Sequence, residues 1–174
     1  MKLQKLRALV TASLFAAIIC VATFIVKIPS PATNGYFNLG DCFVILAGML
    51  LSPVYGALAA GLGSALADVL SGYAQYAPAT FVIKSLMALI IFFIIKAFKG
   101  KLSFAAKLCS GFAAEAVMVL GYFGYEAVIL EYGLATAGSI FSNVVQGIVG
   151  IIAALGVATV ISKNKTLTDF FRKG

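Results

Sequence analysis

The chain contains no histidine and no tryptophan. Without an imidazole, it lacks the usual metal ligand and general base near neutral pH. Charge is scarce as well, at 11% of 174 residues, which leaves too little polar surface for a soluble domain. Three cysteines, Cys20, Cys42 and Cys109, form no CxxC pair and no metal-ligand spacing, so they read as small apolar side chains. The chain has no GxxxxGKS phosphate loop, no HExxH and no paired catalytic carboxylates in a loop. We therefore expect no catalytic residues, no metal and no cofactor, and any ATP hydrolysis must belong to another protein.

What is present is apolar. Hydrophobic residues make up 62% of the chain and the mean hydropathy is +1.07, the profile of an integral membrane protein. The net charge of +7 sits at the edges of apolar runs. Orientation in a bilayer accounts for it, and no nucleic-acid partner is expected. The basic start, Met1 to Arg7, leads into an apolar run to Val26 with no small-x-small cleavage site, so the first helix is read as retained.

Six crossings follow from length and charge. The run from Asp41 to Gly72 is too long for one span and is interrupted at Ser52-Pro53. Splitting it gives helices at about 6–26, 42–51, 54–70, 79–95, 108–130 and 137–161, then a basic tail, 162–174. Two prolines and two glycines make 27–40 a non-helical, partly rigid loop. The N-terminus, the Lys96 to Lys107 loop and the tail are all basic, so all three belong in the cytoplasm. Only the split gives the even parity this demands. The expectation is one all-α membrane domain, 1–174: a multi-pass six-helix bundle with both termini cytoplasmic.

Polar residues interrupt these helices at one depth. Asp68, Lys84, Tyr122, Asn143 and Gln146 all fall in the outward half. Glu115, Tyr122 and Glu126 share a helix face, as do Asn143 and Gln146. Scaffolding accounts for any one of them: Lys84 pairing with Asp68 or Glu126, or the amides acting as interhelical glue. A whole layer at matched depth points instead to a pocket for a small polar molecule arriving from outside. Tyr36, Tyr73, Tyr76 and Tyr132 fall in outer loops, as an interfacial belt or as the mouth of that pocket. Small residues also recur every four positions. Ala8, Ala12 and Ala16 mark the first helix, with a parallel pair, Ser13 and Ala17. The third helix is small on nearly every side, which suits close packing.

The stretch Gly35-Tyr36-Phe37-Asn38-Leu39-Gly40-Asp41 resembles a signature of the S components of energy-coupling factor (ECF) vitamin transporters. Leu46 to Ala57, Gly61 to Asp68 and Tyr76 to Lys84 extend the likeness. It is closest to the riboflavin-type group, which also holds hydroxymethylpyrimidine and pyridoxine-like specificities, and it covers the chain to about Ile95. The resemblance implies substrate capture from outside and docking on a transmembrane T component with two ATPases, through the row Ala8, Ala12 and Ala16. It carries over Asn38 and Lys84 as ligand residues. Tyr122, Glu126, Asn143 and Gln146 are added from the depth argument. The expected ligand is a flat heteroaromatic vitamin, hydroxymethylpyrimidine- or pyridoxine-like ahead of riboflavin. The alternative is a self-sufficient homo-oligomeric carrier or channel, with the alanine row as its self-association face.

Overall fold

The computed structural model describes residues 2–29 and 36–172. Helix α1 spans Lys2–Ile25. A hairpin follows, with strands β1 (Lys27–Pro29) and β2 (Tyr36–Asn38), and then α2 (Gly40–Leu50), α3 (Pro53–Leu70) and α4 (Ala77–Ala97). Helix α5 (Phe104–Gly124) runs on into a π-helical turn, Tyr125–Ile129. A 3-10 turn, Gly133–Thr136, leads to α6 (Ala137–Lys163) and a short α7 (Lys165–Arg172).

Breaks between helices come from identifiable residues. Pro53 opens α3 behind an extended Ser52, where its missing N–H would have had no helical partner. Ser103 caps α5 by accepting a hydrogen bond from the Ala106 amide at 3.2 Å. Gly72, at φ +83°, turns the chain out of α3 in a conformation other residues resist.

Among the described residues, five helices (α1, α3, α4, α5 and α6) are long and apolar enough to cross a membrane. Helix α2 is apolar but only 11 residues long. It rises about 16 Å against a hydrocarbon core of about 30 Å. Large apolar side chains such as Leu14, Val21, Leu120, Phe141 and Val160 are exposed around the bundle, as a lipid-facing surface requires. The core holds Ile19, Ile45, Met87, Ile91 and Met118.

Helix α3 packs chiefly against α4 and α1, and its small residues make that possible. A Cβ at Gly63 would lie 2.5 Å from the Ala16 carbonyl oxygen, and one at Gly61 would lie 2.8 Å from that of Phe81. The same packing revises the reading of α1. Ala8 and Ala12 are buried, and the Ala16 backbone lies against Gly63. Ala8 and Ala12 face inward and Ala16 is half-buried, whereas Ser13 and Ala17 are exposed. Helical spacing locates a small-residue stripe but not the side from which its neighbour comes.

Three further departures stand out. The loop expected over 27–40 contains an antiparallel hairpin, pairing Lys27 with Asn38 and Ile28 with Phe37; 30–35 lies outside the described residues. The end of α5 widens into the π-helical turn. The basic tail is helical over Lys165–Arg172 and folds back onto α1. There the Arg7 guanidinium donates to the Phe170 carbonyl at 2.9 Å and stands 3.7 Å from that ring's centroid, while Phe15 meets Phe171 edge-on.

The packing makes a clear prediction. Gly63→Val should destabilise the detergent-purified protein by about 1–3 kcal/mol, seen as a lower thermal midpoint. Gly156→Ala, inside α6 where an added Cβ meets nothing within 4 Å, should not lower it.

Candidate functional site

The start of α2, the ends of α3 and α5, and the starts of α4 and α6 gather at the hairpin end of the bundle. Strand β2 ends at Asn38, whose Oδ1 accepts a hydrogen bond from the Gly40 amide at 2.8 Å. This local turn starts α2 and places Asp41 in its first turn, where the helix dipole favours a carboxylate. From Asp41 a chain of contacts crosses the bundle. Lys84 Nζ on α4 donates to Asp41 Oδ1. Gln146 Nε2 on α6 donates to Asp41 Oδ2 at 2.5 Å. Gln146 Oε1 in turn accepts from the Asn38 amide at 2.7 Å. Asp41, Lys84 and Gln146 are all buried, with exposures of 0%, 2% and 3%. Both carboxylate oxygens of Asp41 are therefore satisfied, the condition under which a buried pair is tolerable.

A second group of contacts lies beside the first. The π-helical turn rotates Glu126 inward, a widened turn being a common device at functional positions. Tyr76 OH donates to Glu126 Oε1 at 3.2 Å and Ser139 Oγ donates to Oε2 at 2.5 Å. Tyr122 OH and Thr80 Oγ1 are hydrogen-bonded at 2.9 Å, and Tyr125 OH donates to the Gln75 carbonyl at 2.5 Å. The Tyr76 ring stands 6.5 Å from those of Tyr73 and Tyr122 and 6.1 Å from that of Tyr125. Lys84 Nζ stands 5.6 Å from the Tyr122 ring centroid. The two groups thus meet at Lys84.

Of the residues expected from sequence, Lys84, Tyr122, Glu126 and Gln146 come together here. Asn143 is buried one turn before Gln146 on α6. Asn38 takes part through its backbone amide, while its side chain caps α2. The expected partners of Lys84, Asp68 or Glu126, are replaced by Asp41. Asp41 is 43 positions away from Lys84 and sits just past the hairpin. Tyr76 is buried at 5% exposure, so it belongs to the site and not to an interfacial belt. Thr80 and Ser139 were missed, since a hydroxyl bonded within its own helix looks the same in sequence. Donors, acceptors and aromatic faces from four helices thus converge at this end of the bundle.

Comparisons with known proteins place this arrangement in context. A family model described as "ECF-type riboflavin transporter, S component" matches residues 3–163. A protein of Pyrococcus woesei, described as an uncharacterized protein in the gap 3' region, is 37% identical over 146 residues, 84% of this chain and 95% of that protein. A solved structure described as "Structure and mechanism of the S component of a bacterial ECF transporter" superposes with a TM-score of 0.73 at 25% identity. The superposition covers 91% of this chain and 97% of that one.

The buried pair gives a test. Lys84→Met strands Asp41 and should cost about 3–5 kcal/mol of stability. Lys84→Met combined with Asp41→Leu should recover most of that loss in thermal unfolding, because neither half of the pair is left stranded.

Proposed function

That the chain belongs to the S-component family of ECF-type riboflavin transporters is the premise from which we propose its specific role: capturing a B vitamin at the hairpin end and delivering it to an energising complex. S components are transport subunits for vitamin uptake, and this is a membrane-spanning helical protein. The observation that carries the reading is the convergence of buried polar side chains from α2, α4, α5 and α6 at the end capped by the β1–β2 hairpin. Lys84, Tyr122, Glu126, Asn143 and Gln146 line the capture site, with Asn38 fixing the loop above it. The family match supports riboflavin as the first ligand to try. Hydroxymethylpyrimidine- or pyridoxine-like compounds, favoured on residues alone, come next.

The topology we propose is one membrane domain with six crossings and both termini cytoplasmic, in a bacterial cell membrane. Helix α2 is the short crossing, completed by the hairpin. A T component and two ATPases are the proposed partners, and ATP hydrolysis belongs to the ATPases. Coupling uses α1 through its exposed small residues Ser13 and Ala17, since Ala8 and Ala12 are packed inside.

Purified protein should bind riboflavin without ATP, read as quenching of flavin fluorescence. Tyr122→Ala or Asn143→Ala should weaken binding by about tenfold or more, about 1.4 kcal/mol. Failure to bind riboflavin, hydroxymethylpyrimidine or pyridoxine would sink the capture reading. Uptake by the reconstituted chain alone would favour the self-sufficient carrier. Ala17→Trp should abolish co-purification with the T component and leave ligand affinity intact.

A further inference from the structure

Glu115 on α5 is 5% exposed, and neither of its carboxylate oxygens has a hydrogen-bond partner among the described residues. Its neighbours at this end are satisfied: Asp41 by Lys84 and Gln146, and Glu126 by Tyr76 and Ser139. An acid left alone in an apolar interior is costly, so its placement calls for an explanation.

That placement is specific. The carboxyl lies against the α6 backbone at Gly147 and Gly150. A Cβ at Gly147 would stand 2.9 Å from Oε2. A Cβ at Gly150 would stand 3.4 Å from Oε1 and 3.0 Å from the Asp41 Cβ. Glu115 and Asp41 therefore flank one glycine. Lys84 makes its single side-chain hydrogen bond to Asp41, although an ammonium carries three donors on a rotatable stem. An unpartnered and a partnered carboxyl thus lie on either side of Gly150, and the partnered one holds the ammonium.

We propose that Glu115 is the alternative partner of Lys84: the lysine leaves Asp41 for Glu115 when a guest's N–H or O–H donors take over Asp41 and Gln146. The guest's part in this exchange rests on the capture reading; the existence of the reserve partner does not. The exchange solves a physical problem. Opening the Asp41–Lys84 pair for a guest would otherwise leave a buried ammonium unpaired. With Glu115 in place, the cation keeps a counter-charge throughout and Asp41 becomes available to the guest. Glu115 acts through Lys84 and is a positioning residue.

Two measurements on the full chain in lipid nanodiscs decide the matter. The first is a thermal-stability cycle without ligand. Glu115→Gln alone should not lower the midpoint, because it removes an unpartnered acid. Asp41→Asn alone should lower it modestly, because Lys84 moves to Glu115. The double variant should lose more than the two single changes together. Additive losses, or an Asp41→Asn protein that fails to fold with Glu115 intact, overturn the assignment. The second is riboflavin titration. Glu115→Gln should weaken riboflavin binding by about tenfold while the empty variant stays as stable as the parent, a combination that a purely structural role would not give. Wild-type affinity in Glu115→Gln overturns the exchange. If the parent chain itself ignores riboflavin, the capture of that vitamin fails, and the stability cycle still decides the role of Glu115.

Discussion

An ion pair inside an apolar bundle sets the terms for the rest of this structure. Asp41 and Lys84 are almost fully buried, where each charge alone would be prohibitive. They are tolerable because α2 starts where its dipole favours Asp41, because Gln146 satisfies the second carboxylate oxygen, and because the Asn38 amide holds Gln146 in turn. Hairpin, α2, α4 and α6 are therefore tied to one another through polar contacts. In lipid, apolar packing alone gives little preference for one helix register over another. A directional pair of this kind fixes register, and it does so at the end where recognition would take place.

The rest of the bundle supplies a rigid frame. Gly48, Gly61 and Gly63 bring the backbones of α2, α3, α4 and α1 so close that an added methyl group would strike a carbonyl or a neighbouring side chain. At the basic end, α7 folds against α1 through Arg7 and the Phe170–Phe171 pair. The opposite end is built differently, from short strands, a π-helical turn and tyrosines.

Much of this architecture was legible in sequence, and the failures share a cause. Pro53 and Gly72 bracket α3 as punctuation predicts, and the polar layer showed itself as charged and amide residues inside hydrophobic runs. What sequence could not supply was direction. Ala8, Ala12 and Ala16 form a row at helical spacing, but only the approach of Gly63 on α3 decides that the row faces inward. Lys84 plainly required a counter-charge, yet choosing Asp41 over Asp68 or Glu126 depends on how the hairpin delivers α2. Helix α7 went unread because eight residues give too few turns for Leu167, Phe170 and Phe171 to register as an apolar face. The hairpin went unread because Pro29, Pro31, Gly35 and Gly40 mark 27–40 as a non-helical loop, and its strands are only three residues each.

The missed contacts and the inferred function are linked by one consideration. A site meant only to hold helices together would satisfy every buried polar atom, since each unsatisfied one weakens the fold. Most of the atoms at the hairpin end meet that standard, and the carboxyl of Glu115 does not. It lies against Gly147 and Gly150 on α6, across Gly150 from Asp41 and the one pair whose opening a guest would demand. Bundle stability alone would favour glutamine or leucine at this position. Retaining an acid there is intelligible if the lowest-energy partnering of the empty protein is not the partnering used when the site is filled. The local frustration then becomes part of the binding equilibrium, because a ligand that relieves it gains differential affinity for the filled state.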